Sequence, residues 1–175
     1  MRQANERDVE QVCELMNANL DQLYSPLVVG FFFAQWPTGQ ILAEDVFGNL
    51  LGAVCGSRLD SGRASISLFA VDEAFRGRGI GASLLDAFRR RCMMEGVGVM
   101  QLEVRIENVT AMRFYESHGF TRIGRLENFY ADGGDAYRMS AFVTSCRTGR
   151  GLPSWGEEAE RFQLNMLSSI CSVCI

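Results

Sequence analysis

Between positions 76 and 82 the chain reads Arg-Gly-Arg-Gly-Ile-Gly-Ala, with glycines at 77, 79 and 81 and arginines at 76 and 78. An apolar strand pattern, Ala64–Ala70, runs into this stretch, and Ile80, Leu84, Leu85 and Phe88 leave it at helical spacing. Glycine lets the backbone turn tightly and come close to a ligand. The first turn of a helix carries backbone N–H groups without partners, at the positive end of the helix dipole. Strand, glycine turn and helix start together make a phosphate site, and Arg76 and Arg78 add formal charge. The blander alternative is a strand-to-helix turn with a solvated basic rim.

Three phosphate patterns compete for this turn. The mononucleotide loop G-x-x-x-x-G-K-[ST] fails, because no Lys-Ser or Lys-Thr follows. The dinucleotide fingerprint G-x-G-x-x-G/A is met by Gly77, Gly79 and Ala82. That fingerprint opens a series of alternating strands and helices, whereas several strands come first here. The pattern R-x-x-G-x-G is met by Arg76, Gly79 and Gly81.

The elements that must position this turn fit one domain of residues 1–144, followed by an extension, 145–175, with no assigned role. A length of 175 residues allows a sizeable core. A net charge of −4 argues against nucleic-acid binding, which needs a basic face. Residues 1–8 hold no apolar run of a signal peptide, and no segment is long and apolar enough for a bilayer. Cys13, Cys55 and Cys92 fall in apolar patterns as small hydrophobes. Cys171 and Cys174 have no second pair or His nearby, so no metal site is expected. A reducing, cytoplasmic setting follows. The single histidine, His118, has no local support for a Ser-His-Asp or Cys-His mechanism.

In chain order, a helix is expected from about Asp8 to Leu20, with Asp8 as N-cap and Val9, Val12, Cys13, Met16 and Leu20 as its buried stripe. Ser25-Pro26 opens a second helix to about Gln35 that is apolar almost all round. Strands follow at 40–46, 49–57 and 64–71, an antiparallel meander. The glycine turn and its helix run to about Glu95. Val99–Ile106 alternates, with Met100, Leu102, Val104 and Ile106 on one face and Gln101, Glu103 and Arg105 on the other. Asn108 caps a short helix stopped by Gly119. Strands at 120–123 and 136–143 flank a turn at 131–135. In the extension, 147–154 reads as a linker and 157–170 as a short helix that packs on the domain or on a partner.

The order of the R-x-x-G-x-G loop, the strand Leu102-Glu-Val-Arg105, Asn108 and an A-x-x-x-Y-x-x-x-G-F helix (Ala111, Tyr115, Gly119, Phe120) resembles the GNAT superfamily of N-acetyltransferases. Leu102–Arg105 is similar to the RimI type of N-terminal acetyltransferase. Asn19-Leu20 with Tyr24, Trp36-Pro37, Ala43–Asp45 with Gly48, and Tyr130–Tyr137 are similar to the catalytic subunit of the NatA type. These segments span roughly residues 19–140.

The resemblance implies an α/β fold with a mixed, mostly antiparallel central sheet flanked by helices. It implies acetyl-coenzyme A as cosubstrate and transfer to a protein or peptide N-terminus, one starting with Ser, Ala, Thr or Met. An auxiliary ribosome-associated subunit is a possible partner; neither nucleic acid nor membrane is. Arg76, Gly77, Arg78, Gly79, Ile80, Gly81 and Ala82 would hold the pyrophosphate. Backbone groups of Phe69, Ala70 and Val71, with Asn108, would pair with the pantetheine arm. Glu103 would be the general base and Tyr115 the donor to the departing thiolate. Tyr24 and Tyr130 would hold the acceptor backbone, and Phe31 would shape the pocket for its first side chain. Two departures stand out: Gln22 replaces a glutamate proposed as base in the NatA type, and Phe129 replaces a second tyrosine. Alternatives remain for each: a solvated strand carboxylate for Glu103, and packing aromatics for the tyrosines. At the level of function, the alternatives are a small-molecule amine acetyltransferase and a non-catalytic acetyl-coenzyme A-binding module.

Overall fold

A computed structural model describes residues 1–60, 62–143 and 172–174. Its elements run β1 (Arg2–Gln3), α1 (Val9–Asn19), α2 (Pro26–Gln35), β2 (Gln40–Glu44), β3 (Leu50–Arg58), β4 (Arg63–Val71), α3 (Ile80–Met94), β5 (Val99–Arg105), α4 (Val109–Ser117), β6 (Thr121–Leu126), β7 (Ala136–Phe142) and β8 (Ser172–Cys174). The expected elements are present within a few residues of their expected bounds. β1 and β8 were not foreseen, and the linker and helix expected at 147–170 lie outside the described residues.

Turn chemistry sets the meander. Asp45 accepts from the N–H groups of Phe47 and Asn49, and Gly48 takes a φ of 85°, so β3 folds back on β2. Strand order along the sheet is β1-β2-β3-β4-β5-β7-β6, antiparallel except for β4 and β5. The parallel step follows from α3, which carries the chain back across the sheet between those two strands.

The sheet buries both faces. α1 and α2 cover one, against Leu42, Ala53, Cys55, Leu68 and Ala70. α3 and α4 cover the other, against Val54, Ile66, Phe69, Val71, Leu102 and Val104. β5 lies inside the sheet, and Gln101 and Glu103 on its polar face are buried rather than solvated. Asp8 also departs from expectation. It precedes α1, but its carboxylate accepts from the Asn5 N–H and from Arg2 instead of capping that helix.

A bulge shapes the middle of the sheet. Gly56 pairs with Ile66 and Cys55 with Leu68, which leaves Ser67 as an extra residue on β4. A bulge bends its strand and sharpens the local twist. Before it, β4 pairs with β5 from Arg63↔Val99 to Ser65↔Gln101; beyond it, no pairing between the two continues. The two strands thus diverge into a wedge that opens toward Val71 and Arg105.

Close packing behind the wedge depends on a missing side chain. A Cβ on Gly56 would lie 2.3 Å from Cε2 of Phe88, whose ring is edge-on to Trp36 at 5.6 Å. Gly56→Ala should cost about 2 kcal/mol and lower Tm by roughly 4–8 °C in thermal unfolding. An unchanged Tm would mean that Phe88 moves freely.

Acid should loosen the same region. Burial pushes the Glu95 carboxyl upward, but hydrogen bonds from Thr38 and Trp36, with Arg58 and Arg91 nearby, outweigh it and hold the group below its ordinary value. The paired Arg2 guanidinium holds Asp8 low as well. A carboxylate with a depressed folded-state pKa stabilises fully above its unfolded value, near 4, and loses that contribution as pH falls through the folded one. Urea midpoints should therefore drop below about pH 4, and the Glu95→Gln variant should show a shallower drop.

Candidate active site

The glycine turn forms as its residues dictate. Gly77 and Gly79 have φ of 73° and 79°, a region that penalises any side chain. Gly79 stands at the N-cap of α3, and the helix makes its first internal bond from the Ser83 N–H to the Gly79 carbonyl at 3.0 Å. The amides of Ile80, Gly81 and Ala82 precede that bond, so the helix itself gives them no acceptor. They open on a cavity of about 600 Å³ bounded by Val71, Phe75, Thr110, Phe114 and His118 as well as by the turn.

The two arginines divide their work. Arg76 spends Nε on the Val71 carbonyl at 3.0 Å and Nη2 on Oδ1 of Asn19 at 2.8 Å. It ties the turn to the end of β4 and to α1. Arg78 lies over the ring of Phe75 at 5.3 Å; Phe75 lines the cavity and Arg78 does not. Phe75, Thr110 and Phe114 were not singled out from sequence, and Asn19 entered only through the resemblance, without a role. Asn19 is the last residue of α1, and its role depends on a partner 57 positions away.

Glu103 lies on β5 at 2 % exposure. Its Oε1 accepts from Nε of Arg138 at 2.9 Å and from Nε2 of Gln101 at 2.9 Å. Arg138 is the register partner of Glu103 on β7, and Gln101 is two residues away on the same face. A solvated strand carboxylate is thus excluded. Instead an ion pair fixes the position of an interior carboxylate. Arg138 escaped sequence reading because only strand register reveals the pair.

Tyr115 is fully buried on α4, with its ring 6.3 Å from that of Phe69 and 5.3 Å from that of Phe120. Asn108 caps α4 as expected, its Oδ1 accepting from the Ala111 N–H at 3.0 Å. Neither Glu103 nor Tyr115 borders the large cavity itself. They flank the wedge from β5 and from α4.

On the acceptor side, Arg105 gathers two segments. Its guanidinium lies 4.0 Å from the Tyr130 ring centroid, 3.0 Å from Asp132 and 3.7 Å from Asp21. The link after α1, which holds Tyr24, and the loop that holds Tyr130 therefore meet at the open end of β5. Both tyrosines are buried, and the Tyr24 hydroxyl donates to Oε1 of Gln22 at 3.4 Å. Phe129 packs edge-on to Tyr130 at 5.1 Å. Phe31 is 43 % exposed, and Leu23 and Leu27 beside it in sequence are 86 % and 85 % exposed.

The segment expected to pair with the pantetheine arm has a neighbour within the chain itself. Beyond the bulge, Leu68, Phe69 and Ala70 pair in parallel with Ser172, Val173 and Cys174 of β8. An unpaired strand edge inside a wedge leaves backbone groups without partners, and the chain's own last strand supplies them. Three cysteines are poorly suited to thiol catalysis: Cys13 is buried with its thiol pushed up, and burial raises Cys55 and Cys92 to about 12.

Comparison with known proteins gives one answer. An N-alpha-acetyltransferase 30 of Schizosaccharomyces pombe is 32 % identical over 133 residues, which cover 74 % of this chain and 89 % of that protein. A crystal structure of Ard1 from Thermoplasma volcanium superimposes with a TM-score of 0.78 at 34 % identity, over 82 % of this chain and 97 % of that one. A NatC complex bound to Gag peptide and CoA matches with a TM-score of 0.73 at 28 % identity, over 80 % and 93 % of the two chains. The model of the acetyltransferase (GNAT) family matches residues 9–120, and with that match and the wedge-shaped sheet this chain belongs to that family.

Proposed function

We propose that this chain transfers acetyl from acetyl-coenzyme A to the α-amine of a protein or peptide N-terminus within a ternary complex. The observation that carries the reading is the start of α3, whose first amides have no acceptor within the helix and open on a cavity past the end of β4, while Glu103 on β5 and Tyr115 on α4 flank the β4/β5 wedge rather than the cavity. The residues fit the cosubstrate. Its pyrophosphate suits the amides of Ile80, Gly81 and Ala82, with Arg78 near, while Arg76 shapes the turn. The thioester supplies an activated acetyl group; positioning the amine against it is the protein's main task.

Glu103 takes the amine's proton, directly or through water, and Tyr115 donates to the departing sulfur. Tyr115→Phe should lower kcat about 100-fold and leave coenzyme A affinity unchanged in a thiol-release assay. A wild-type kcat would remove Tyr115 from the chemistry.

The peptide acceptor is supported by relatives named as N-alpha-acetyltransferases and by the peptide in the NatC complex. Exposed Leu23, Leu27 and Phe31 favour an apolar first side chain, so Met ranks above Ser, Ala and Thr. That solved neighbour is a complex, which supports an auxiliary subunit here as well. Ribosome association and a cytoplasmic setting belong to the same reading. The deciding assay offers acetyl-coenzyme A with peptides starting in Met, Ser, Ala or Thr, and with polyamines and amino-sugars, and reads free thiol. Turnover on the small amines alone would overturn the peptide reading.

A further inference from the structure

Three residues of the chain's own C-terminal segment lie where the proposed reading needs a cofactor. β8 pairs with β4 in parallel, Leu68↔Ser172, Phe69↔Val173 and Ala70↔Cys174, and also lies against β5. It therefore sits inside the wedge, between two strands that separate after Ser65 and Gln101. An extended chain satisfies such an edge through main-chain hydrogen bonds, the mode called strand addition. The pantetheine arm is also extended and carries two amides, so it suits the same edge. Two extended occupants cannot bond to one row of backbone groups.

We infer that the β4 edge inside the wedge is a docking slot for the C-terminal strand, and that this strand and the arm of acetyl-coenzyme A exclude one another. The inference rests on the cofactor reading given above. The sequence favours the fit: residues 170–175, Ile-Cys-Ser-Val-Cys-Ile, hold β-branched residues at 170, 173 and 175 and no charge. The slot also accepts a strand only beyond the Ser67 bulge, where β5 no longer pairs. The glycine turn and its cavity lie past the end of β4, outside the paired residues. Ser172–Cys174 thus compete with the arm for the β4 edge and do not line the cavity at the glycine turn.

The test uses the full chain. Proline removes an N–H and is refused by an interior strand. Successive N–H groups of a strand point to opposite sides, so Ser172→Pro and Val173→Pro are made separately, with Val173→Thr as the strand-compatible control. Hydrogen exchange is followed at the amides of Leu68, Phe69 and Ala70, and coenzyme A affinity by calorimetry. At least one proline variant should speed exchange of whichever of those amides face β8, and not those facing β3, about tenfold in the unliganded chain. The same variant should bind coenzyme A about tenfold more tightly, the factor for a slot otherwise open roughly a tenth of the time. Added coenzyme A should restore protection, and the threonine variant should match wild type. Unchanged exchange in both proline variants would overturn the docking. Faster exchange with unchanged affinity would overturn the competition. Gly79→Ala separates the two readings. If it weakens coenzyme A binding while the proline variants do not strengthen it, only the tail inference fails. If neither change alters binding, the cofactor reading fails with it.

Discussion

Glu103→Gln should lower kcat about 100-fold at pH 7 with acetyl-coenzyme A affinity unchanged. The amide keeps the shape of the side chain and can still offer Oε1 to Arg138 and Gln101, which hold the carboxylate at 2.9 Å each. The amide leaves the Arg138 charge without its counter-ion, so Tm is measured beside kcat and the assay is run well below the variant's unfolding temperature. The pH profile distinguishes a base from a merely structural ion pair. A free α-amine has a pKa of about 7.7–8.0, so most of it is protonated at pH 7 and little at pH 9. With its own deprotonation supplied by the solvent, the acceptor needs less help. The defect of the variant should accordingly shrink by several-fold between pH 7 and pH 9. A defect that stays constant across that range would make Glu103 a structural partner of Arg138, and a wild-type kcat would end its catalytic assignment.

Gly79→Ala should weaken coenzyme A binding about 5- to 30-fold. The residue sits at φ 79°, and a Cβ there meets nothing within 4 Å, so the penalty is conformational rather than a clash. That penalty is about 1–2 kcal/mol, which converts to the stated range when the turn relaxes out of its binding shape. Gly77→Ala, at φ 73°, should act in the same direction. Gly124→Ala is the control: it also has open space around its Cβ but no positive φ, and should leave affinity alone. Titration of coenzyme A by calorimetry reads all three, and equal affinities for the Gly79 and Gly124 variants would remove the turn from the site.

What the residues announced in advance was mostly local. The glycine turn, the Asn108 cap and the Gly119 stop follow from backbone preferences that a few neighbouring residues impose, and each stands where it was expected. The solvated carboxylate that stood as the alternative for Glu103 is excluded by its burial, which the sequence could not decide, because alternation tells which residues share a face but not what covers it. β5 is an interior strand of the sheet and its polar face is buried, so that side needed partners, and Arg138 is 35 positions away. The Ser67 bulge was equally silent, since an extra residue shows only when two strands are laid side by side. β8 could not be read at all: three residues are too few for any periodicity.

Because β4 and β5 touch over only three register pairs, the sheet is two slabs welded at one end. Whatever sits in the gap serves as a second weld. A ligand held only by the folded chain adds RT ln(1 + [L]/Kd), about 2.7 kcal/mol at a hundredfold excess over Kd. Heat tolerance of the molecule is then set partly by metabolic supply: a cell rich in activated acetyl groups would keep this chain intact at temperatures where a starved one would lose it.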